Sequence, residues 1–177
     1  MNNSTKRYTV LILVLLLVST AIRLYQLNSG LWLDEITTLE TYAREPFGEI
    51  VSSFESENQH FLYSLLAHAS FVVFGESAWA LRLPAVLFGV GSIAALYLLG
   101  IQVSRPIEAL FAAALMAFSY HHVWFSQNAR GYTGMLFWTL LSSWLLLRAL
   151  RSNRITEWSW FGLAAALGVY THLTMLF

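Results

Sequence analysis

The sequence predicts an all-α integral membrane protein of about five transmembrane helices, with an extracytoplasmic juxtamembrane helical loop after the first. Three observations predict it. At 57% hydrophobic and 11% charged residues over 177 positions, the chain departs far from the half-apolar, quarter-charged norm of soluble domains. Apolar runs free of charge recur at lengths that suit a bilayer. Eight of the ten Asp and Glu residues lie between Asp34 and Glu76, so the acid is concentrated in one stretch that must sit outside lipid. The formal net charge is zero and there are no cysteines. No global field recruits nucleic acid, and thiolate catalysis, disulfides and Cys-based metal sites are excluded. The 15% aromatic content suits interfacial belts first and sugar stacking second.

Lys6-Arg7 precede an apolar stretch that reads as the first span, residues 8–27. Ser19-Thr20-Ala21 would pass as a signal-cleavage site, but the spans downstream favour an uncleaved anchor. After the Asn28-Ser29-Gly30 turn, Asp34-Glu35 followed by Ile36, Leu39, Tyr42 and Ala43 reads as an interfacial amphipathic helix stopped by Pro46. A second amphipathic turn is expected from Phe47 to Phe54. Residues 61–74 are apolar, yet as a helix they reach only roughly 21 Å against a hydrocarbon core of about 30 Å. The remaining spans are residues 83–102, 107–123, 133–147 and 158–177, with Pro46, Pro84 and Pro106 at element boundaries. Residues 1–177 thus form a single multi-pass domain, with an outer loop over 28–82.

Charge decides the topology. If residues 61–74 lie along the interface, Lys6, Arg7, Arg105, Arg148, Arg151 and Arg154 all fall on the cytoplasmic side. If they cross, that bias vanishes. The N-terminus is therefore expected in the cytoplasm of a cell-membrane protein. The acidic loop, His60, Arg82, the turn from Gln127 to Tyr132, and His172 then gather on the extracytoplasmic face.

Three blocks carry a resemblance: Arg23-Leu24-Tyr25 with Leu31-Trp32-Leu33-Asp34-Glu35; Asn58-Gln59-His60-Phe61-Leu62-Tyr63 with Phe74-Gly75-Glu76 and Arg82-Leu83-Pro84; and Ser126-Gln127-Asn128-Ala129-Arg130-Gly131-Tyr132. Read together and in this order, they resemble the N-terminal part of the GT-C superfamily of polyprenyl-phosphate-sugar glycosyltransferases, which includes protein O-mannosyltransferases and the aminoarabinose transferase of lipid A. Phe61-Leu62 stand where that family commonly has Pro. Family members are several times longer, and the chain stops at Phe177 without a polar tail. The C-terminal half of the membrane core and any acceptor-binding domain are expected to lie outside it, and the 177-residue chain alone is expected to transfer no sugar.

The resemblance implies an inverting transfer of a sugar from a polyprenyl-phosphate donor to an acceptor hydroxyl. Such transfer needs a base, stabilisation of the departing phosphate, and a dry slot beside the bilayer. Asp34 is the candidate base, although an acid in a first helical turn also suits the macrodipole. Glu35, about 100° round the helix, is its candidate catalytic companion, able to orient the loop, bind a metal or hold an arginine. Arg82 and Arg130 are candidate phosphate clamps, because a guanidinium fork matches phosphate oxygens; snorkelling or pairing with the loop is the plainer role. Arg23 is expected to snorkel. His60 is a candidate for phosphate, metal or loop hydrogen bonding, and Gln127 and Tyr132 for shaping the donor pocket or bonding sugar hydroxyls. His68, His121 and His122 read as interfacial packing, and His172 as a neighbour of the same pocket. Some relatives use a divalent ion and others do not, which leaves a metal open.

The competing reading is a non-catalytic membrane subunit or scaffold whose acidic loop binds a partner or cations. An enzyme needs Asp34, Arg82 and Arg130 around one cavity, whereas a scaffold can leave them scattered or paired off. The interiors of the spans carry no ionisable groups of the kind a transporter would use.

Overall fold

The computed structural model describes residues 3–52 and 59–177, all in helices and turns, with no strand among the described residues. Asn58 and Phe54 lie outside them. Helix α1 (Asn3–Leu24) ends where Gln26 takes a positive φ of 54°. The interfacial loop follows as α2 (Leu33–Thr37), a π-helical continuation (Thr38–Ala43) and α3 (Phe47–Ser52). Helix α4 (Phe61–Phe74) leads through Gly75 into α5 (Ala78–Val103), whose first turn is capped by the Ser77 hydroxyl accepting from the Ala80 N–H. Then come α6 (Pro106–Phe118), α7 (Tyr120–Ser126), α8 (Tyr132–Ser152), α9 (Ile155–Thr171) and a 3₁₀ turn (Leu173–Leu176).

Three of these helices, at Thr5–Leu24, Ala78–Val103 and Tyr132–Ser152, are long and apolar enough to cross a membrane; the chain is an all-α membrane protein. Two shorter apolar helices, Phe61–Phe74 and Pro106–Phe118, accompany them. The expected span at 107–123 is broken at Ser119, whose backbone is extended at φ −63° and ψ 123° and whose hydroxyl accepts from the His122 N–H to start α7. Pro84, expected at a boundary, lies inside α5, because the helix starts at Ala78. Tyr63 of α4 donates its hydroxyl to the Leu81 carbonyl at 2.7 Å in the same turn.

Helix α5 is the axis. It packs against α8, α6, α4, α1 and α7. One apolar core joins α1, α5 and α6 through Ile12, Ile93, Ala113 and Ala117; a second joins the loop to α4 and α5 through Ala43, Tyr63, Ala67, Leu81, Ala85 and Ala129. Alanines make up four of the six buried residues in the second core and two of the four in the first, as expected where apolar side chains meet lipid as readily as protein and backbones must come close to gain packing. At one end of the bundle, Arg151 donates to the carbonyl and side-chain oxygens of Gln102, and Arg148 pairs with Glu157. The loop, the 127–132 turn and His172 share the opposite end.

The amphipathic helix after the first span forms, but with a shifted buried face. Of its expected apolar face, Tyr42 and Ala43 are buried and Leu39 packs against the same core, while Ile36 is 43% exposed and Glu35 and Thr38 are buried with them. The reason is a polar anchor stronger than the apolar stripe.

Candidate functional site

That anchor is Glu35, which is fully buried. Its Oε1 accepts from Arg82 Nε at 2.8 Å and from the Ala129 N–H at 2.8 Å; its Oε2 accepts from Arg82 Nη2 at 2.6 Å and from the Trp32 N–H at 3.0 Å. The bond to Trp32 also closes the N-terminus of α2. Arg82, 2% exposed, donates Nη1 to the carbonyls of Leu27 at 2.8 Å and Ser29 at 2.9 Å, and Nη2 to Gly30 at 2.9 Å. A guanidinium has five N–H donors, and each has a protein acceptor here. Glu35 and Arg82, expected as catalytic companion and phosphate clamp, are therefore turned toward each other. They gather the 27–30 turn, the start of α2, the first turns of α5 and the 128–130 segment.

Asp34 faces the other way. Its side chain is 64% exposed and its Oδ2 meets Arg130 Nη1 at 2.8 Å, while the Arg130 side chain is only 8% exposed. A cavity of about 230 Å³ lined by Trp32, Leu33, Asp34, Trp124 and Asn128 opens on the Asp34 side of this pair. Beside it a second cavity of about 240 Å³ is lined in part by Trp32, Trp124, Gln127 and Asn128. Asn128 belongs to both, and its Oδ1 is buried with no hydrogen-bond partner. Gln127 donates its amide to the carbonyls of Arg23 at 3.1 Å and Tyr25 at 2.8 Å, closing the C-terminal end of α1 as well as lining the cavity.

Arg130 also reaches the third group of residues. Its guanidinium carbon lies 5.4 Å from the centroid of the Tyr132 ring. That ring is edge-on to His60 at 5.9 Å and lies 5.7 Å from His172, and the two imidazoles stack at 4.7 Å. His60 is 5% exposed. Burial, with the nearby His172 and Arg130, lowers its pKa from 6.5 to about 4, against a hydrogen bond to the Thr171 backbone that raises it. The imidazole is neutral near pH 7, which is poorly suited to an anion. His60, His172, Thr174 and Phe177 help line a cavity of about 400 Å³.

Arg23 departs furthest from expectation. It does not snorkel; it is fully buried, donating to Ser126 Oγ at 3.1 Å, Ser19 Oγ at 2.5 Å, the Ala117 carbonyl at 3.2 Å and His122 Nδ1 at 2.7 Å. The signal lay in the sequence as polar residues inside apolar helices: Ser19 one turn before Arg23, and His122 and Ser126 one turn apart. His122 is therefore an acceptor for Arg23 rather than belt packing. His68 donates Nδ1–H to the Ala43 carbonyl at 3.1 Å, fastening α4 to the end of the π-helix. His121 is exposed and edge-on to Tyr120.

A divalent ion finds no donor set among the described residues, because no three His, Asp or Glu side chains converge. Of the three roles open to Glu35, the structure shows it holding an arginine: four N–H groups donate to its carboxylate.

The fold and site define a multi-helix membrane protein with an acidic interfacial loop seated on its first spans and an Asp–Arg pair at a cavity mouth. Residues 58–177 match the dolichyl-phosphate-mannose-protein mannosyltransferase family, and the chain belongs to that family. It is also 24% identical over 172 residues to "Putative mannosyltransferase YkcB" of Bacillus subtilis (strain 168), a match covering 88% of this chain and 23% of the relative. The chain thus spans about a quarter of that relative's length. No solved structure matches it.

Proposed function

We propose that the chain forms the base-bearing part of a GT-C glycosyltransferase that moves a mannose-like sugar from a polyprenyl phosphate to an acceptor hydroxyl on the extracytoplasmic face. The observation that carries this reading is the exposed Asp34 carboxylate paired at 2.8 Å with the buried Arg130 guanidinium at the mouth of a cavity flanked by Trp32 and Trp124. Asp34 takes the proton of the acceptor hydroxyl as its oxygen attacks the anomeric carbon. The bond from that carbon to the phosphate oxygen breaks with inversion, and the electron pair leaves on the polyprenyl phosphate. Arg130 moves its fork from Asp34 to the phosphate when the donor enters; this neutralises the leaving group and frees the carboxylate. Glu35 and Arg82 are positioning residues that hold α2 so that the residue before Glu35, Asp34, faces the cavity. Trp32 and Trp124 offer aromatic faces to a sugar ring.

An outward-facing site is in keeping with the grouping of Lys6, Arg7, Arg105, Arg148, Arg151 and Arg154 away from the acidic loop, as the positive-inside bias would have it. The Glu35–Arg82 pairing is what a scaffold would also show. A side-by-side test separates the two readings: polyprenyl-phosphate [¹⁴C]mannose is offered to membranes containing the chain within its full-length protein, with thermal unfolding followed in parallel. D34N is expected to lower transfer at least about 10²-fold without moving the midpoint. E35Q removes one member of a buried pair, at a cost of about 3–5 kcal/mol, and lowers the midpoint. Full transfer by D34N would overturn the enzyme reading as drawn.

A further inference from the structure

We propose that His60 and His172 form a subsite for a sugar hydroxyl, with His60 Nε2 accepting the hydroxyl proton and His172 Nε2–H donating to the hydroxyl oxygen. The proposal rests on the donor reading above and extends it to the part of the sugar away from its phosphate.

The tautomers follow from neighbours outside the cavity. His60 hydrogen-bonds the Thr171 carbonyl, while its Nε2 is buried without a partner. A carbonyl only accepts, so the bond uses Nδ1–H and the bare lone pair is on Nε2. The close approach depends on Gly131: a Cβ there would meet the His60 ring at 2.8 Å and the Thr171 carbonyl oxygen at 3.0 Å. His172 is fixed the other way. Its Nδ1 receives the Thr174 N–H at 3.3 Å and lies 2.8 Å from the Thr174 hydroxyl, so its proton is on Nε2. The two stacked rings, 4.7 Å apart, line the same cavity of about 400 Å³, and a turn of the His60 side chain would bring its buried, unpartnered Nε2 to a ligand there.

This pairing discriminates among ligands. A metal needs two lone pairs, and His172 would have to give up its Nε2 proton to supply the second. A phosphate oxygen would meet the bare nitrogen of His60, which repels it. A hydroxyl both donates and accepts, and it matches both rings in these tautomers. The subsite is also in register with the donor reading, since Tyr132 touches both imidazoles and lies within 5.4 Å of the Arg130 guanidinium.

The test uses the chain labelled with ¹⁵N-histidine in lipid nanodiscs, with imidazole signals assigned by their loss in H60N and H172N. His60 is expected to carry its proton on Nδ1 and His172 on Nε2; the opposite tautomer at either overturns the proposal. Polyprenyl-phosphate mannose is expected to shift both Nε2 signals, and polyprenyl phosphate without sugar to shift neither. Equal shifts with the sugar-free lipid would make this a phosphate site, ending the hydroxyl proposal but sparing the donor reading. If neither lipid quenches the tryptophan fluorescence, the donor reading fails. Methyl mannoside is then the probe: shifts at both histidines keep the hydroxyl subsite, and their absence ends it. A donor lacking the contacted hydroxyl is expected to bind the unaltered chain about tenfold more weakly, the size of one lost hydrogen bond. Equal affinity for every deoxy donor also overturns it.

Discussion

At the residue scale, Asp34 and Glu35 show how adjacent carboxylates come to opposite fates. One residue step along the helix separates them by about 100°, enough to put one at a cavity mouth and the other in the core. Glu35 is stabilised there because a bidentate guanidinium and two backbone N–H groups replace the water it loses. His60 makes a residue-scale prediction of its own. Unfolded, it takes a proton near pH 6.5; folded, burial delays this to about pH 4. The folded state is therefore at its most stable, as far as this group goes, above pH 6.5, and loses stability as pH falls from there to about 4. The loss is on the order of 3 kcal/mol over that window. Unfolding midpoints in detergent from pH 7.5 to 4 should fall more steeply for the unaltered chain than for H60N. Parallel curves would mean that His60 does not stay neutral.

At the scale of elements, α1 is held to α6 and α7 by a cation rather than by apolar contact alone. Gly89 of α5 makes room for this junction: a Cβ there would stand 2.2 Å from Ser126 Oγ. G89A is expected to destabilise by about 1–3 kcal/mol through overpacking. S126A in the same chain should recover part of that loss, although it also removes an acceptor from Arg23. Thermal unfolding of the single and double variants measures the coupling, and additive losses would mean the two sites do not meet. The helical elements themselves were legible in the sequence because long apolar runs specify little else. The interfacial loop was legible from its acids, and helix geometry said that Asp34 and Glu35 would face different ways, but not which of them would be the buried one. The partners were less so. Nothing in the spacing of Glu35 and Arg82, 47 positions apart, says that they close on each other rather than on a ligand. Arg23 was misread because snorkelling is available to any arginine near a helix end, and most of its interior partners, Ala117, His122 and Ser126, lie far along the chain. The break at Ser119 escaped notice because one extended residue does not disturb hydropathy.

At the scale of the whole molecule, the ends of the bundle differ in kind. One gathers the N-terminus of α1 and the turns at Arg105 and Arg154; the other gathers the loop, the Asp34–Arg130 pair and the stacked histidines. The absence of cysteine allows a direct test of which end faces outward. E45C in intact cells is expected to react with a membrane-impermeant maleimide, and S104C only after the membrane is opened. The reverse pattern would turn the site toward the cytoplasm and remove the outward-facing reaction.

The four donors on Glu35 come from Trp32, Ala129 and Arg82, which belong to stretches that enter the membrane separately during synthesis. The loop cannot take its final seat until the last of them, the 128–130 segment, has arrived. A nascent or misassembled chain would leave Asp34 on an unanchored loop, with no arginine beside it and no cavity before it. Glu35 thus ties the seating of the loop to closure of the bundle, and the Asp34–Arg130 pair can form only once those segments have met.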